Sequence, residues 1–389
     1  MRITEPHRRH APPISVFAAL ALLAAACGDS SGPGTGLALT TIPIAANYGI
    51  HDTYVRDGVA FVCAWDDGIR IYDVGNGIRG GSPSLPVLVS RFKSPGWGRA
   101  HNAWWFHNPN TLEARYLFVG EEGPGRIGSS SSGDIHVLDV SDLANPVDVA
   151  TFGVLGAGTH NFWMDEGAEI LYAAYYNAGV VAIDVSGPLS GTLPANRAVS
   201  VTPGGLGNTF TWGIQLAANG WLYASDMLSG LWQLAPGTLA AQTGSGNNVP
   251  ERVSSDLWVR GDYAYTGTWG YRGNRPGNAL KIWHLDAGGA PVLVDSIVLP
   301  GVGTVSDVEV SPDGKVLMFS AENGPGSGVY WYDLTADPTH PAFVAHDQVA
   351  DGVHTATFAS IGGQLYAFGA RNPAHPALLI YDVTQLLPP

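Results

Sequence analysis

The sequence predicts an all-β chain, a seven-bladed β-propeller with four-stranded antiparallel blades and a ring closed by the N-terminal strand. Three observations carry this. The chain has 389 residues with 51 glycines, 27 prolines and only 13% charged side chains, a composition that suits many short strands joined by turns and not helical bundles. A unit of about fifty residues recurs, opening at positions 51, 101, 160, 212, 255, 306 and 354. The last unit then ends one strand short, while residues 37–44 form a strand-like run with no partner of their own.

The first unit defines the pattern. His51-Asp52 leads into a short alternating run, and Asp57-Gly58 is a tight turn. An apolar strand follows from Val59 to Trp65, then the turn Asp66-Asp67-Gly68, a third strand from Ile69 to Val74, and a fourth from Pro86 to Phe92. The fourth unit is the weakest copy, with Ala235 where the others carry Asp and no Pro-Val strand. One such sheet cannot cover both of its faces, whereas a closed ring of them can, so the repeats require one another. Giving 37–44 to the last unit as its outer strand closes the ring and leaves no orphan edge.

The chain start reads as an export signal. Arg2, Arg8 and Arg9 precede an uncharged stretch, Ile14 to Ala26, too short to span a bilayer comfortably. Small residues then lead to Cys27, which resembles the lipobox of bacterial lipoproteins. That resemblance implies removal of residues 1–26, lipid on Cys27, a flexible tether over 27–36 and the propeller over 37–389. Gly28 after the cysteine favours the outer membrane over the inner one, so a bacterial envelope protein held to a membrane by its lipid is expected. Cys63 is then alone, in an apolar run where a buried, inert thiol is expected.

The repeats also resemble the LVIVD-repeat propellers of secreted bacterial proteins. The resemblance rests on His-Asp near the unit start, an apolar-x-apolar-Asp-Val-Ser strand end, and Asn-Pro-Val before the fourth strand. Residues 134–152 match it best, and it spans about 45–389. It implies fold and export and no single activity.

Chemistry is expected at the channel mouth. In a propeller each unit's first strand is innermost, so the opening residues ring the channel: His51, His101, His160, Trp212, Ser255, Ser306 and His354. Four imidazoles from neighbouring blades form a candidate metal site, with copper or zinc the implied ion. The same histidines also read as fasteners between loops and adjacent blades. The following column, which includes Asp52, Asn102, Asn161, Asp256 and Asp307, offers supporting partners.

Loops on the same face carry Asp66, Glu121, Glu122, Asp226, Trp269, Arg272, Glu322 and Arg371, a candidate surface for a protein, glycan or small ligand. A net charge of −14, three lysines and no basic run exclude nucleic acid as an expected partner. Gly123 to Gly128 fits a dinucleotide-binding glycine pattern, but no βαβ context surrounds it. No catalytic residue is assigned. A monomeric, non-enzymatic binding module is the leading expectation, with a metal-binding protein or metalloenzyme as its alternative. Cys27→Ala should abolish incorporation of labelled palmitate into the exported chain and leave it soluble; unchanged labelling would overturn the anchor.

Overall fold

Turn chemistry sets the strand pairing. Asp57 and Gly58 both take positive φ, 49° and 72°, the geometry a two-residue hairpin needs. A Cβ on Gly58 would lie 2.4 Å from the Asn76 nitrogen, so glycine is required there. This turn joins β2 (Asp52–Arg56) to β3 (Val59–Cys63), and the unit continues through β4 (Ile69–Asp73) and β5 (Val87–Phe92). Pairing is antiparallel throughout.

The structure is a computed structural model that describes residues 39–44, 49–122, 133–202, 209–243, 252–270, 275–371 and 374–387. All of them fall in the unit Pro33–Pro389. The signal-like segment, Cys27 and the tether lie outside the described residues, as does Arg272.

The second unit holds β6 (Arg99–Asn108), β7 (Glu113–Glu122), β8 (Ile135–Asp139) and β9 (Val147–Phe152). The third holds β10 (Phe162–Asp165), β11 (Ile170–Ala174), β12 (Val180–Asp184) and β14 (Ala198–Val201). Between the last two, β13 (Gly191–Thr192) crosses back to pair in parallel with β9, a fifth strand the sequence pattern does not foretell. The fourth unit holds β15 (Thr211–Leu216), β16 (Leu222–Asp226), β17 (Gly230–Leu234) and the short β18 (Ala241–Thr243). That last strand fills the place where the sequence shows no Pro-Val run.

The next eight strands are β19 (Val253–Arg260), β20 (Tyr263–Trp269), β21 (Ala279–Leu285), β22 (Pro291–Val298), β23 (Thr304–Val310), β24 (Val316–Glu322), β25 (Gly328–Asp333) and β26 (Ala342–Gln348). The final unit is β27 (Val353–Ile361), β28 (Gln364–Arg371) and β29 (Ala377–Asp382), completed by β1 (Leu39–Pro43). β1 pairs antiparallel with β29 from Leu39 opposite Tyr381 to Pro43 opposite Ala377.

The sequence expects seven separate blade sheets. Among the described residues five stand apart, while β19 to β26 belong to one eight-stranded sheet. The two halves of that sheet touch through a single bridge, Thr268 opposite Val305. Gly267 permits the approach, since a Cβ there would meet the Val305 carbonyl oxygen at 2.5 Å, and Ser255 Oγ donates to that oxygen at 2.6 Å.

Between successive units lies an apolar layer. Phe61, Cys63 and Ile71 pack on Trp105, Leu117 and Val119, and Phe118 and Val137 pack on Phe162, Leu171 and Val181. Ala60 and Val62 meet Phe368 and Ile380, which joins the last unit to the first. The inner strands β2, β6, β10, β15, β19, β23 and β27 run side by side and return to β2.

The recurring aspartate at third-strand ends closes a turn. Asp139, Asp184, Asp333 and Asp382 each accept the backbone N–H two residues ahead, at 2.7–3.0 Å. Asp73 accepts five N–H groups between Gly75 and Gly81, which hold its pKa far below the carboxylate range against the opposing effect of burial.

Deleting residues 37–43 strips the outer strand from the last unit and exposes the β29 edge. The truncated chain should melt roughly 5–10 °C lower. An unchanged melting curve would show that β1 does not hold the ring.

Candidate functional site: an imidazole ring above a carboxyl-lined channel

On five of the seven inner strands a bulge sets the direction of the opening residue, while His51 and His160 stand just before the regular strands β2 and β10. Register slips between Ala100 and Asn102, Thr211 and Gly213, Ser254 and Leu257, Val305 and Val308, and Val353 and Ala356. A bulge inserts an extra residue and re-aims its side chain. The re-aimed residues include His101, Trp212, Ser306 and His354.

Six aromatic rings close a circle at this level. His354 lies 4.1 Å from His51, His51 3.9 Å from His101, and His101 4.1 Å from His160, centroid to centroid. The circle continues from His160 to Trp212 at 3.9 Å, Trp269 at 4.9 Å, and back to His354 at 5.9 Å. Trp65 stacks on His51 at 4.5 Å and 11°. All four sequence-predicted histidines and Trp269 therefore meet.

Hydrogen bonds orient two of the rings. His160 Nδ1 lies 2.8 Å from the Trp212 carbonyl oxygen, so Nδ1 is the donor and Nε2 carries the lone pair. His354 Nδ1 lies 2.7 Å from Glu322 Oε1, and its Nε2 sits 2.8 Å from His51 Nε2. His51 Nδ1, both nitrogens of His101 and His160 Nε2 are buried without a hydrogen-bond partner. Atoms of His51, His101 and Glu122 lie within 4.8 Å of one another, and Glu122 Oε1 accepts from Tyr176 Oη at 2.6 Å.

Burial, then mutual repulsion, keeps most of these imidazoles neutral. The pKa of His51 and that of His160 lie well below the usual value, and His101 is lowered to about 3. Burial also acts to lower His354, but Glu322 outweighs it and the pKa is raised.

The ring opens into a cavity of about 260 Å³, lined at its upper end by His51, His160, Trp212 and His354. Its walls carry Asp52, Asp256, Asp307 and Glu309. Burial raises Asp52 to about 7 and Asp256 to about 6, and it raises Asp307 and Glu309 well above the carboxylate range. Asn161 donates to Asp256 at 2.7 Å, and the Ala356 N–H donates to Asp307 at 2.7 Å.

The other predicted loop residues do not join this centre. Asp66 pairs with Arg99 at 3.4 Å, and Arg371 with Asp351 at 3.4 Å. Asp226 accepts from the N–H groups of Phe210, Leu228 and Ser229 and braces its own loop. Glu121 accepts the Gly98 N–H and faces His136 at 2.8 Å. Cys63 is fully buried, and burial followed by Asp52 raises its thiol pKa.

Sequence reading placed Glu122 and Glu322 on the open face and passed over Trp65 and Tyr176. All four occupy one repeat position. It lies two residues beyond the second-strand partner of the second column, as Cys63 opposite Asp52 points to Trp65 and Gly120 opposite Asn102 points to Glu122. Aligning units at the second-strand end, instead of the opening, exposes that column.

No family model matches the chain, and no curated protein does either. Solved structures do. A chain of the mitotic checkpoint complex is 13% identical, with 97% of this chain and 99% of that one covered, at a TM-score of 0.64. The β-propeller domain of Cps50 (Swd1) from Myceliophteria thermophila is 12% identical, with 89% and 100% covered, at 0.58. The protein is a β-propeller with four-stranded antiparallel blades.

His136 makes a separate test of the electrostatics. Burial alone lowers its pKa, but Asp148 at 3.4 Å and Glu121 at 2.8 Å raise it to about 9. A folded pKa above the free value of about 6.5 means stabilisation that is complete below that pH and fades as pH rises through about 9. The melting temperature should therefore fall between about pH 7 and pH 10, and fall less in His136→Gln, which starts lower. Parallel pH profiles for the two proteins would refute the charged triad.

Proposed function

We propose that the imidazole ring binds a late first-row transition metal, zinc or copper, and that the protein is a metal-binding propeller of the bacterial envelope. The observation that carries this is the meeting of the His51, His101 and His160 rings, four of whose buried nitrogens lack a hydrogen-bond partner, with ligand atoms of His51, His101 and Glu122 within 4.8 Å of one another. Each such atom costs about 1–3 kcal/mol if nothing satisfies it. Neutral imidazoles are what a metal requires, since a protonated ring has no lone pair to give. The 2.8 Å between His51 Nε2 and His354 Nε2 subtends close to a right angle at an ion held at about 2.0 Å, the adjacent-ligand angle of a tetragonal copper site and narrower than tetrahedral zinc takes. Glu322 behind His354 and the Trp212 carbonyl behind His160 act as the supporting partners that orient metal-binding histidines. Glu122 is the added anionic ligand.

The same reading treats the eight-stranded sheet as two blades, which makes seven. Support comes from its single internal bridge and from the closed cycle of inner strands. It also retains the likeness to LVIVD-repeat propellers, the lipid on Cys27 and an outer-membrane address. A second reading, recognition of a partner protein by this face, is favoured by Leu155 and Leu228, which are 97% and 61% exposed on loops around the ring.

Metal content by mass spectrometry decides the first reading. The sample is protein starting after Gly28, purified without a histidine tag, beside a variant with His51, His101 and His160 changed to Ala. Near one equivalent of zinc or copper is expected, lost in the variant, with melting raised by added metal only in the parent. Metal-free protein that also rejects both ions on reconstitution would leave the histidines as blade fasteners.

A further inference from the structure

The lower part of the central cavity has a chemistry of its own. Channel-facing positions alternate along each inner strand, so a third ring lies below the carboxyl ring. Three of its members are tryptophans, with ring centroids of Trp104 and Trp163 5.4 Å apart and those of Trp163 and Trp258 5.9 Å apart. Tyr54 extends the arc, 5.3 Å from Trp104. Gln215, between Trp163 and Trp258 in the order of units, turns aside. Its amide donates to the Val259 carbonyl at 3.0 Å and accepts the Val259 N–H at 2.6 Å, which lets the two indoles meet.

Glu309 lines the same cavity at this level, with Asp307 one position above it on β23. No lysine or arginine lines the cavity among the described residues. Asn102, 3% exposed, lines it too and keeps Oδ1 unpartnered. Indole faces and carboxylates share one preference, a cation, and the basic side chain that acts on Asp307, His354, lines the cavity's other end. The size of that cation follows from the spacing. Among the described residues the one group of three ligands close enough to hold a bare ion is His51, His101 and Glu122, while of the channel carboxyls Asp256 and Asp307 meet as a hydrogen-bonded pair. Two carboxyls are too few to cage a bare inorganic ion, which takes about six oxygens or more when it is calcium or magnesium, whereas the three indoles beside them suit an organic cation. The volume of about 260 Å³ falls just below the roughly 300–1,000 Å³ typical of drug-sized sites, so the occupant is small.

We propose that the lower channel binds a small organic ammonium ion, seated on Trp104, Trp163 and Trp258 and charge-paired with Glu309 and Asp307. This site shares its cavity with the imidazole ring, which lines the other end, and does not depend on a metal there.

The test uses the full chain in a non-ionic detergent, with choline and butylammonium as probes, read by calorimetry and tryptophan quenching. Both cations are expected to bind, and 3,3-dimethylbutan-1-ol, the uncharged mimic of choline, to bind at least about tenfold more weakly. Glu309→Gln keeps an acceptor for the Phe358 N–H and should weaken choline by about tenfold with unchanged metal content and melting. Trp163→Leu should do the same, and the comparison of choline with its mimic on the parent chain stands even if that variant misfolds. Failure of both cations to bind at millimolar concentration would overturn the site. So would equal affinity for the uncharged alcohol, or calcium binding that displaces choline and is lost in Glu309→Gln.

Discussion

Every blade sheet has two apolar faces, and both must be covered. β3 and β4 are buried along their whole length, so neither face has solvent to turn to. Each sheet is therefore obliged to lie between two others, and the only arrangement that satisfies the end units is a circle. The layer in which Ala60 and Val62 meet Phe368 and Ile380 is where that circle closes. Closure holds the inner strands side by side around an axis, and their alternate side chains have nowhere to go but the channel. Polar residues are tolerated there because the space is wide enough to line a cavity. Partial exposure at Asp307 and Glu309, and again at Asn161 and Trp163, with buried residues between, is the signature of that alternation.

The bulges at the strand tops turn this passive consequence into a site. A regular ladder would send the opening residues alternately into the channel and into the blade interfaces. An inserted residue at the same height on successive strands breaks the alternation and turns a ring of side chains inward together. The cost is considerable. Four unpartnered imidazole nitrogens would each forfeit about 1–3 kcal/mol, against a total stability of about 5–15 kcal/mol for an ordinary domain. Yet leucine or valine at these positions would close the channel mouth without any such cost.

Legibility from sequence followed physical range. Strand and turn signals are local, so the unit boundaries, the Asp57-Gly58 hairpin, the aspartate turns and the outer strand at 39–43 could all be read from neighbouring residues. The ring of His51, His101, His160 and His354 was readable because repetition converts sequence offset into height on a common axis. The contribution of Glu122 and Glu322 was not, since it depends on where the second strand ends relative to the first, and that is set by bulges no residue type announces. The fusion of β19–β26 was hidden for a similar reason: Gly267 lets a neighbouring carbonyl approach, but a glycine alone does not say what it approaches. β13 was invisible because a two-residue strand has no period.

The two levels of the channel differ in a way that follows from electrostatics. At the ring, burial and mutual repulsion favour neutral imidazoles at His51, His101 and His160, which offer lone pairs and no charge, while Glu322 raises His354. Just beneath, burial favours protonated carboxyls, which also carry no charge as long as nothing positive is near. A cation entering either level reverses that second preference, because an opposite charge in a poorly screened interior lowers a carboxyl pKa by one to three units. Asp52, raised to about 7, would then ionise more fully near neutral pH. The carboxyls thus supply charge on demand. Asp307 and Glu309, raised furthest, limit the negative charge in the channel, and a nearby cation would increase it. A channel lined instead with permanently ionised groups would repel itself in the absence of an occupant, and one lined with amides could not respond at all.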